Sequence, residues 1–159
     1  MTKKSTKDNT ITFKEAVEGT PEISKGYCKG LQALKSADKK SVKVRNSKKL
    51  NGSVDIDKNT LATHPDECRW DYAIGYNAKA YFVEVHPANS SNVKEMKDKK
   101  AWLLNWLKTN APLLDNYPSG TPRLLWAATT SGVHIVKGSA EYRMAAQMKL
   151  LPQYPVVIG

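Results

Sequence analysis

The stretch RWDYAIGYNAKAYFVEVHPA, residues 69–88, limits what this chain can fold into more than any other part of it. Two runs rich in aromatic and β-branched residues are separated by Asn77 and Ala78, the spacing of a tight hairpin, and Pro87 stops the second run. With the turn centred between Asn77 and Ala78, paired residue numbers add to a constant. Gly75 then faces Ala80, Ala73 faces Phe82, and Asp71 faces Glu84. A slip of one residue would separate the two acids, so the chemistry of this stretch depends on its register.

Side chains directly opposite one another on paired strands have Cβ atoms only ~4.5–5.5 Å apart, and like charges there are destabilising. A divalent cation between Asp71 and Glu84 would remove the conflict. Carboxylates, waters and substrate phosphates suit Mg²⁺ or Mn²⁺. Alternation puts His86 on the Glu84 face, with Trp70, Tyr72, Val83 and Val85 on the other, toward a core. A neutral His86 imidazole could take a proton from water, and its protonated form could hold a phosphate oxygen. A structural alternative stands beside this one. Asp71 would then begin a strand at a solvated edge, Glu84 would pair with a lysine such as Lys79, and His86 would cap the strand before Pro87.

The rest of the chain sets the frame. Its 159 residues, 40% of them hydrophobic, suffice for one domain, expected over residues 11–159 behind a disordered basic tail at residues 1–10. The formal net charge of +10 favours a polyanionic partner, nucleic acid first among them, although part of that charge lies at the N-terminus and in residues 35–49. No window is apolar enough for a membrane span and the N-terminus lacks a signal-peptide core, so the expectation is a cytoplasmic protein with no membrane partner. Cys28 and Cys68 are isolated thiols without zinc-site spacing.

Thr12 and Glu15 form a capping box for a short helical turn. Thr20-Pro21-Glu22, followed by Ile23, Tyr27, Leu31 and Leu34, predicts the first substantial helix, weakened by Gly26 and Gly30. Asn51-Gly52 between two alternating stretches predicts a hairpin. From Asn92 to about Asn110 a helix is expected, with Val93, Met96, Leu103, Leu104 and Leu107 buried and Lys94, Asp98, Lys99 and Lys108 facing water. The segments RLLWAATT and VHIV suggest a strand pair, Ser139 to Leu150 a helix, and PVVI an edge strand. This order predicts an α/β fold with a mixed central sheet flanked by helices.

An Asp, a hairpin-length gap and Glu-x-Lys at the end of an apolar strand form the signature of the PD-(D/E)XK nuclease-like, or restriction endonuclease-like, superfamily. Asp71 and Glu84-Val85-His86 resemble it, with His86 where the lysine is expected. The helix, three strands, helix, strand order of that superfamily's αβββαβ core also resembles the order found here. The resemblance implies a metal-dependent nuclease in which Asp71, Glu84 and the Val85 carbonyl hold Mg²⁺ or Mn²⁺. An acid on the first helix would join them, Glu22 by position with Glu18 behind it. Lys97 and Lys100, on the helix after the motif, would reach back toward the site and nucleic acid. The resemblance also implies DNA or RNA as partner and a possible homodimer. Other members keep the fold without catalysis, as binding or adaptor proteins.

Asp55 and Asp57 alternate onto one strand face and either join the site or form a solvated row opposite Val54 and Ile56. Trp102, Trp106 and Trp126 offer stacking surfaces for bases, although aromatics at helical spacing more often fill cores. His64 and His134 sit in no motif. Nucleotide-cofactor, P-loop, zincin and serine-hydrolase signatures are absent.

Overall fold

A computed structural model describes residues 10–159. The expected basic tail therefore lies outside the described residues, apart from Thr10. The elements are α1 (Phe13–Glu18), β1 (Tyr27–Cys28), α2 (Ser36–Lys39), β2 (Val42–Val44), β3 (Leu50–Asp55), α3 (Ile56–Thr60), β4 (Tyr72–Tyr76) and β5 (Lys79–Val85). They continue with β6 (Ala88–Asn89), α4 (Val93–Asn110), α5 (Pro112–Asp115), β7 (Ser119–Ala127), β8 (Val133–His134), α6 (Ala140–Gln147) and β9 (Val156–Ile158).

The central sheet has the order β1-β3-β4-β5-β7, antiparallel from β1 through β5, with β7 parallel to β5. This is a mixed sheet flanked by helices. The β4–β5 register is the expected one: Tyr76 pairs with Lys79, Gly75 with Ala80 and Ala73 with Phe82. Asn77 and Ala78 both take positive φ, 51° and 58°, as a type I′ turn requires.

Each face of the sheet carries its own core. On one side Phe82 and Ala73 pack with Phe13 and Val17 of α1 and with Met96, Leu103, Trp106 and Leu107 of α4. On the other, Tyr72, Ile74, Tyr76 and Val83 pack with Val42, Val156 and Ile158, so the two-stranded β2–β9 ribbon covers that face. Glu84 follows Ala80 and Phe82 onto the helical face by strand alternation. Trp70 departs from the expectation that placed it with Tyr72. It lies before β4 begins, where alternation no longer applies, and it is buried in the helix-side core.

Capping explains α1: Glu15 N donates to Thr12 Oγ1 at 3.0 Å and Thr12 N to Glu15 Oε1 at 2.8 Å. The fit of α1 to the sheet is close. A Cβ on Gly75 would stand 2.4 Å from Phe13 Cγ. Gly75→Ala should therefore cost about 1–3 kcal/mol by overpacking, read from the midpoint of urea unfolding; a loss under about 0.5 kcal/mol would show that Phe13 moves aside freely.

Several expectations are corrected. The helix expected from residue 20 is only a 3-10 turn, Pro21–Ile23, after which Tyr27 and Cys28 join β3 as an edge strand. Gly30 takes φ +54° and Gly26 packs against Asn59, so both glycines serve turns and close contacts that a helix would deny them. Asn51-Gly52 makes no hairpin. It forms an irregularity within β3, with Gly52 at φ +133° beneath the Tyr27 ring, while β2 pairs in parallel with β9. β7 and β8 do not pair with each other: β7 joins β5 and β8 joins β6. On α4, Leu104 is 39% exposed although it was expected in the buried stripe. Lys99 points inward although it was expected in water.

Candidate functional site

Asp71 precedes β4 and Glu84 is the penultimate residue of β5, so the expected register carries the two acids to the same end of the hairpin. Each carboxylate accepts from a main-chain amide of the other strand end. Asp71 N donates to Glu84 Oε1 at 2.9 Å, and Val85 N donates to Asp71 Oδ2 at 3.0 Å. The Asp71 carbonyl in turn accepts from Ile56 N at 2.7 Å, at the start of α3. The hairpin thus fixes both carboxylates through main-chain contacts.

Glu84 is 1% exposed, and Lys99 of α4 lies over it with Nζ 3.0 Å from Oε2. The same ammonium donates to the Arg69 carbonyl at 2.8 Å. On the outer side His86 Nδ1 stands 3.4 Å from Glu84 Oε2, and His86 Nε2 is 2.8 Å from Glu95 Oε1. Trp126 Nε1 donates to the His86 carbonyl at 3.1 Å, anchoring this strand end to β7.

These contacts set the protonation states. Burial alone would lower the Lys99 and His86 pKa values, but Glu84 outweighs it for Lys99, and Glu84 with Glu95 outweighs it for His86, so both are raised. Between the two carboxylates the protonated form of His86 is favoured, the form that could hold a phosphate oxygen. Asp71 moves in the unusual direction for a carboxyl, pushed up to about 8 by burial and by the neighbouring Glu84 charge, against the opposing pull of Lys99. One ammonium compensates one carboxylate, and the second carboxyl holds its proton at neutral pH.

A stability consequence follows. With the folded pKa of Asp71 raised above the unfolded value, its contribution is fully present below about pH 4 and is lost as pH rises through about 8. In that window stability should fall by up to ~1.4 kcal/mol per pH unit relative to Asp71→Asn, measured by urea unfolding at successive pH values. Parallel profiles for the two proteins would contradict the assignment.

The other expected site residues are dispersed. Glu22 does not join the pair: its carboxylate accepts from Trp106 Nε1 at 2.8 Å and from the Thr63 hydroxyl, and His64 Nε2 lies 3.0 Å away without the angle of a hydrogen bond. Burial raises the Glu22 pKa, yet these three neighbours hold it below the usual range. Along α4, Trp106 lies seven residues beyond Lys99, about 10 Å at the helical rise, so Glu22 meets α4 well away from Glu84. Glu18 pairs with Lys14 at 2.9 Å. Lys97 is exposed, and Lys100 Nζ donates to the Met148 carbonyl at 2.7 Å. Asp55 caps α3 by accepting from Lys58 N at 2.7 Å, and Asp57, on α3 and not on a strand, binds Arg69 Nε at 2.8 Å. Trp106 and Trp126 are core. His64 is not incidental, since its Nδ1 also meets Glu67 Oε1 at 2.9 Å and its ring packs edge-on against Trp102.

Lys99 and Glu95 escaped the sequence reading. Lys99 lies three residues after Met96 and four before Leu103, both buried, so it occupies the flank of the core stripe. That spacing is the signal that identifies it.

Among the described residues no group of three or more His, Cys, Asp or Glu is arranged to hold a metal ion, and no helix is long and apolar enough to cross a membrane. What the pair offers is two carboxylates and the adjacent Val85 carbonyl. Each carboxylate oxygen has two lone pairs, so a backbone amide or ammonium on one of them leaves acceptor capacity. A carboxyl kept protonated by burial and by a neighbouring carboxylate is one that a hard divalent ion would deprotonate and bind. No family model, curated protein or solved structure matches this chain.

Proposed function

We propose that the protein is a metal-dependent nuclease of the PD-(D/E)XK type, hydrolysing nucleic-acid phosphodiester bonds at Asp71 and Glu84. The observation that carries this reading is the pair itself: two carboxyls brought together at one strand end, with Asp71 raised to about 8 by burial and by the neighbouring Glu84 charge. The order of elements agrees with it. With the shorter elements between them set aside, helix α1, antiparallel β3-β4-β5, helix α4 and β7 parallel to β5 come in an order that resembles the helix, three strands, helix, strand order of that core, which supports the reading.

Asp71, Glu84 and the Val85 carbonyl would hold Mg²⁺ or Mn²⁺. The ion would lower the pKa of a bound water and neutralise charge developing on the phosphoryl group. Glu84 is held in orientation by Asp71 N and Lys99. Lys99 supplies, from α4, the cation that His86 does not supply as a fixed lysine, and the Glu84 carboxylate beside it favours its charged form against the effect of burial. His86, bound to Glu95, fixes the outer side of Glu84, and its raised pKa favours the form that offers positive charge toward a phosphate.

One observation favours a second reading, a protein of this fold that binds nucleic acid or a protein partner without chemistry. Lys99 already neutralises a Glu84 that is 1% exposed, and an ammonium beside a buried carboxylate can replace a cation. Cleavage of labelled single-stranded and duplex DNA and RNA with Mg²⁺, Mn²⁺ or EDTA separates the two. Metal-dependent cutting that disappears in Glu84→Ala supports the nuclease, and its absence in every metal supports the binding protein.

A further inference from the structure

Residues 39–49 carry Lys39, Lys40, Lys43, Arg45, Lys48 and Lys49 with no acid among them. All six are exposed, and none is in an ion pair with a described residue. Strand β2 explains the arrangement. Val42 and Val44 face the core under the sheet, so Lys43 and Arg45 alternate outward. Six like charges within eleven residues and without ion-pair partners among the described residues repel one another, and a polyanion relieves that repulsion.

The course of this segment matters as much as its charge. At one end, Lys40 lines a small depression together with Asp38, Thr129, Thr130 and Val85, the residue that follows Glu84 and donates to Asp71. At the other end, Asn46 N donates to the Tyr76 hydroxyl at 3.1 Å and the Lys49 carbonyl accepts from Asn77 N at 2.8 Å, in the β4–β5 turn. The segment therefore spans β4 from the carboxylate end to the hairpin turn, about 15 Å for a five-residue strand.

We propose that residues 39–49 form the track for the phosphodiester backbone of a nucleic acid, leading to the Asp71 and Glu84 end of the sheet. The direction of the track rests on the nuclease reading; the binding surface does not. Among the exposed large hydrophobic residues none lies in this segment, so it has nothing to insert into a bilayer and no aromatic on which bases could stack. Its contacts are to phosphates, which makes binding independent of sequence and steeply dependent on salt. Lys97 and Lys100, the sequence-based candidates, are on α4, against the opposite face of the sheet from β2.

The test uses Asp71→Asn protein, so that cleavage plays no part, and follows fluorescence anisotropy of labelled duplex DNA, single-stranded DNA and RNA against salt. Lys39, Lys43, Lys48 and Lys49 are changed together to Gln, leaving Arg45, whose Nε donates to the Gly159 carbonyl. A control protein carries four exposed lysines elsewhere, Lys25, Lys94, Lys108 and Lys137, changed to Gln, with the same change in net charge. The track variant should lose at least about thirtyfold in affinity near 0.1 M salt and lower the log–log salt slope by about 2–4, while the control changes by less than about threefold. The preferred nucleic acid is the one whose affinity falls most. Equal losses in both variants, or unaltered binding in the track variant, would overturn the proposal. Equally strong binding of the parent to polyglutamate or to anionic phosphatidylserine vesicles would do the same. Track-dependent binding without metal-dependent cleavage by the native chain would leave the track standing and remove the nuclease.

Discussion

Glu84→Ala should abolish metal-dependent cleavage and also destabilise the protein by roughly 3 kcal/mol, because it strands the Lys99 ammonium in a largely buried position. The two effects have different origins and can be separated. Adding Lys99→Met to Glu84→Ala removes the unpaired charge and should recover most of the lost stability in urea unfolding, while cleavage stays absent. If the double variant is no more stable than the single, the ion pair is not what holds α4 against the strand end. If Glu84→Ala keeps its cleavage, the carboxylate is not a metal ligand.

Asp71→Asn should act in the opposite sense on stability. Asparagine keeps an acceptor for Val85 N but carries no charge, so it relieves the like-charge conflict with Glu84. Near pH 9, above the raised Asp71 pKa, the variant should be more stable than the native chain by several kcal/mol, up to about 5 at ~1.4 kcal/mol per pH unit, with the difference vanishing toward pH 4. Cleavage should nevertheless fall by about 10³-fold or more, since a metal ion contributes several kcal/mol of transition-state charge stabilisation. A side chain whose removal stabilises the fold and destroys activity is held at a structural cost for a functional reason. Full cleavage by Asp71→Asn would sink the mechanism.

How far the sequence carries can be judged from these same residues. The β4–β5 hairpin was legible because aromatic and branched runs flank a two-residue gap, and its register alone brings Asp71 and Glu84 together. Helix α4 was legible for the same kind of reason, a long apolar stripe, and the Thr12 and Glu15 cap was legible locally. The parallel pairings of β2 with β9 and β6 with β8 were not, because strands distant in sequence leave no local turn to announce them. Asn51-Gly52 misled for a complementary reason: a dipeptide suited to a turn also suits a bulge, and the Tyr27 ring over Gly52 decides between them. Within the site, Lys99 was hidden by the convention that a lysine beside an apolar stripe faces water. Its long stem lets the charge reach Glu84 across the edge of the core. Glu22 fitted the resemblance by its position in the chain, but Thr63, His64 and Trp106, none of them near it in sequence, claim its carboxylate.

The central claim is that Asp71 and Glu84 hold a divalent ion, and titration calorimetry with Mn²⁺ near pH 7 tests it most directly. At that pH Asp71 carries its proton, so binding must release it. The account predicts saturable heat that differs between buffers of different ionisation enthalpy by about one proton per ion, and no heat in Asp71→Asn. Absence of heat in the native chain, or the same heat in Asp71→Asn, would contradict it.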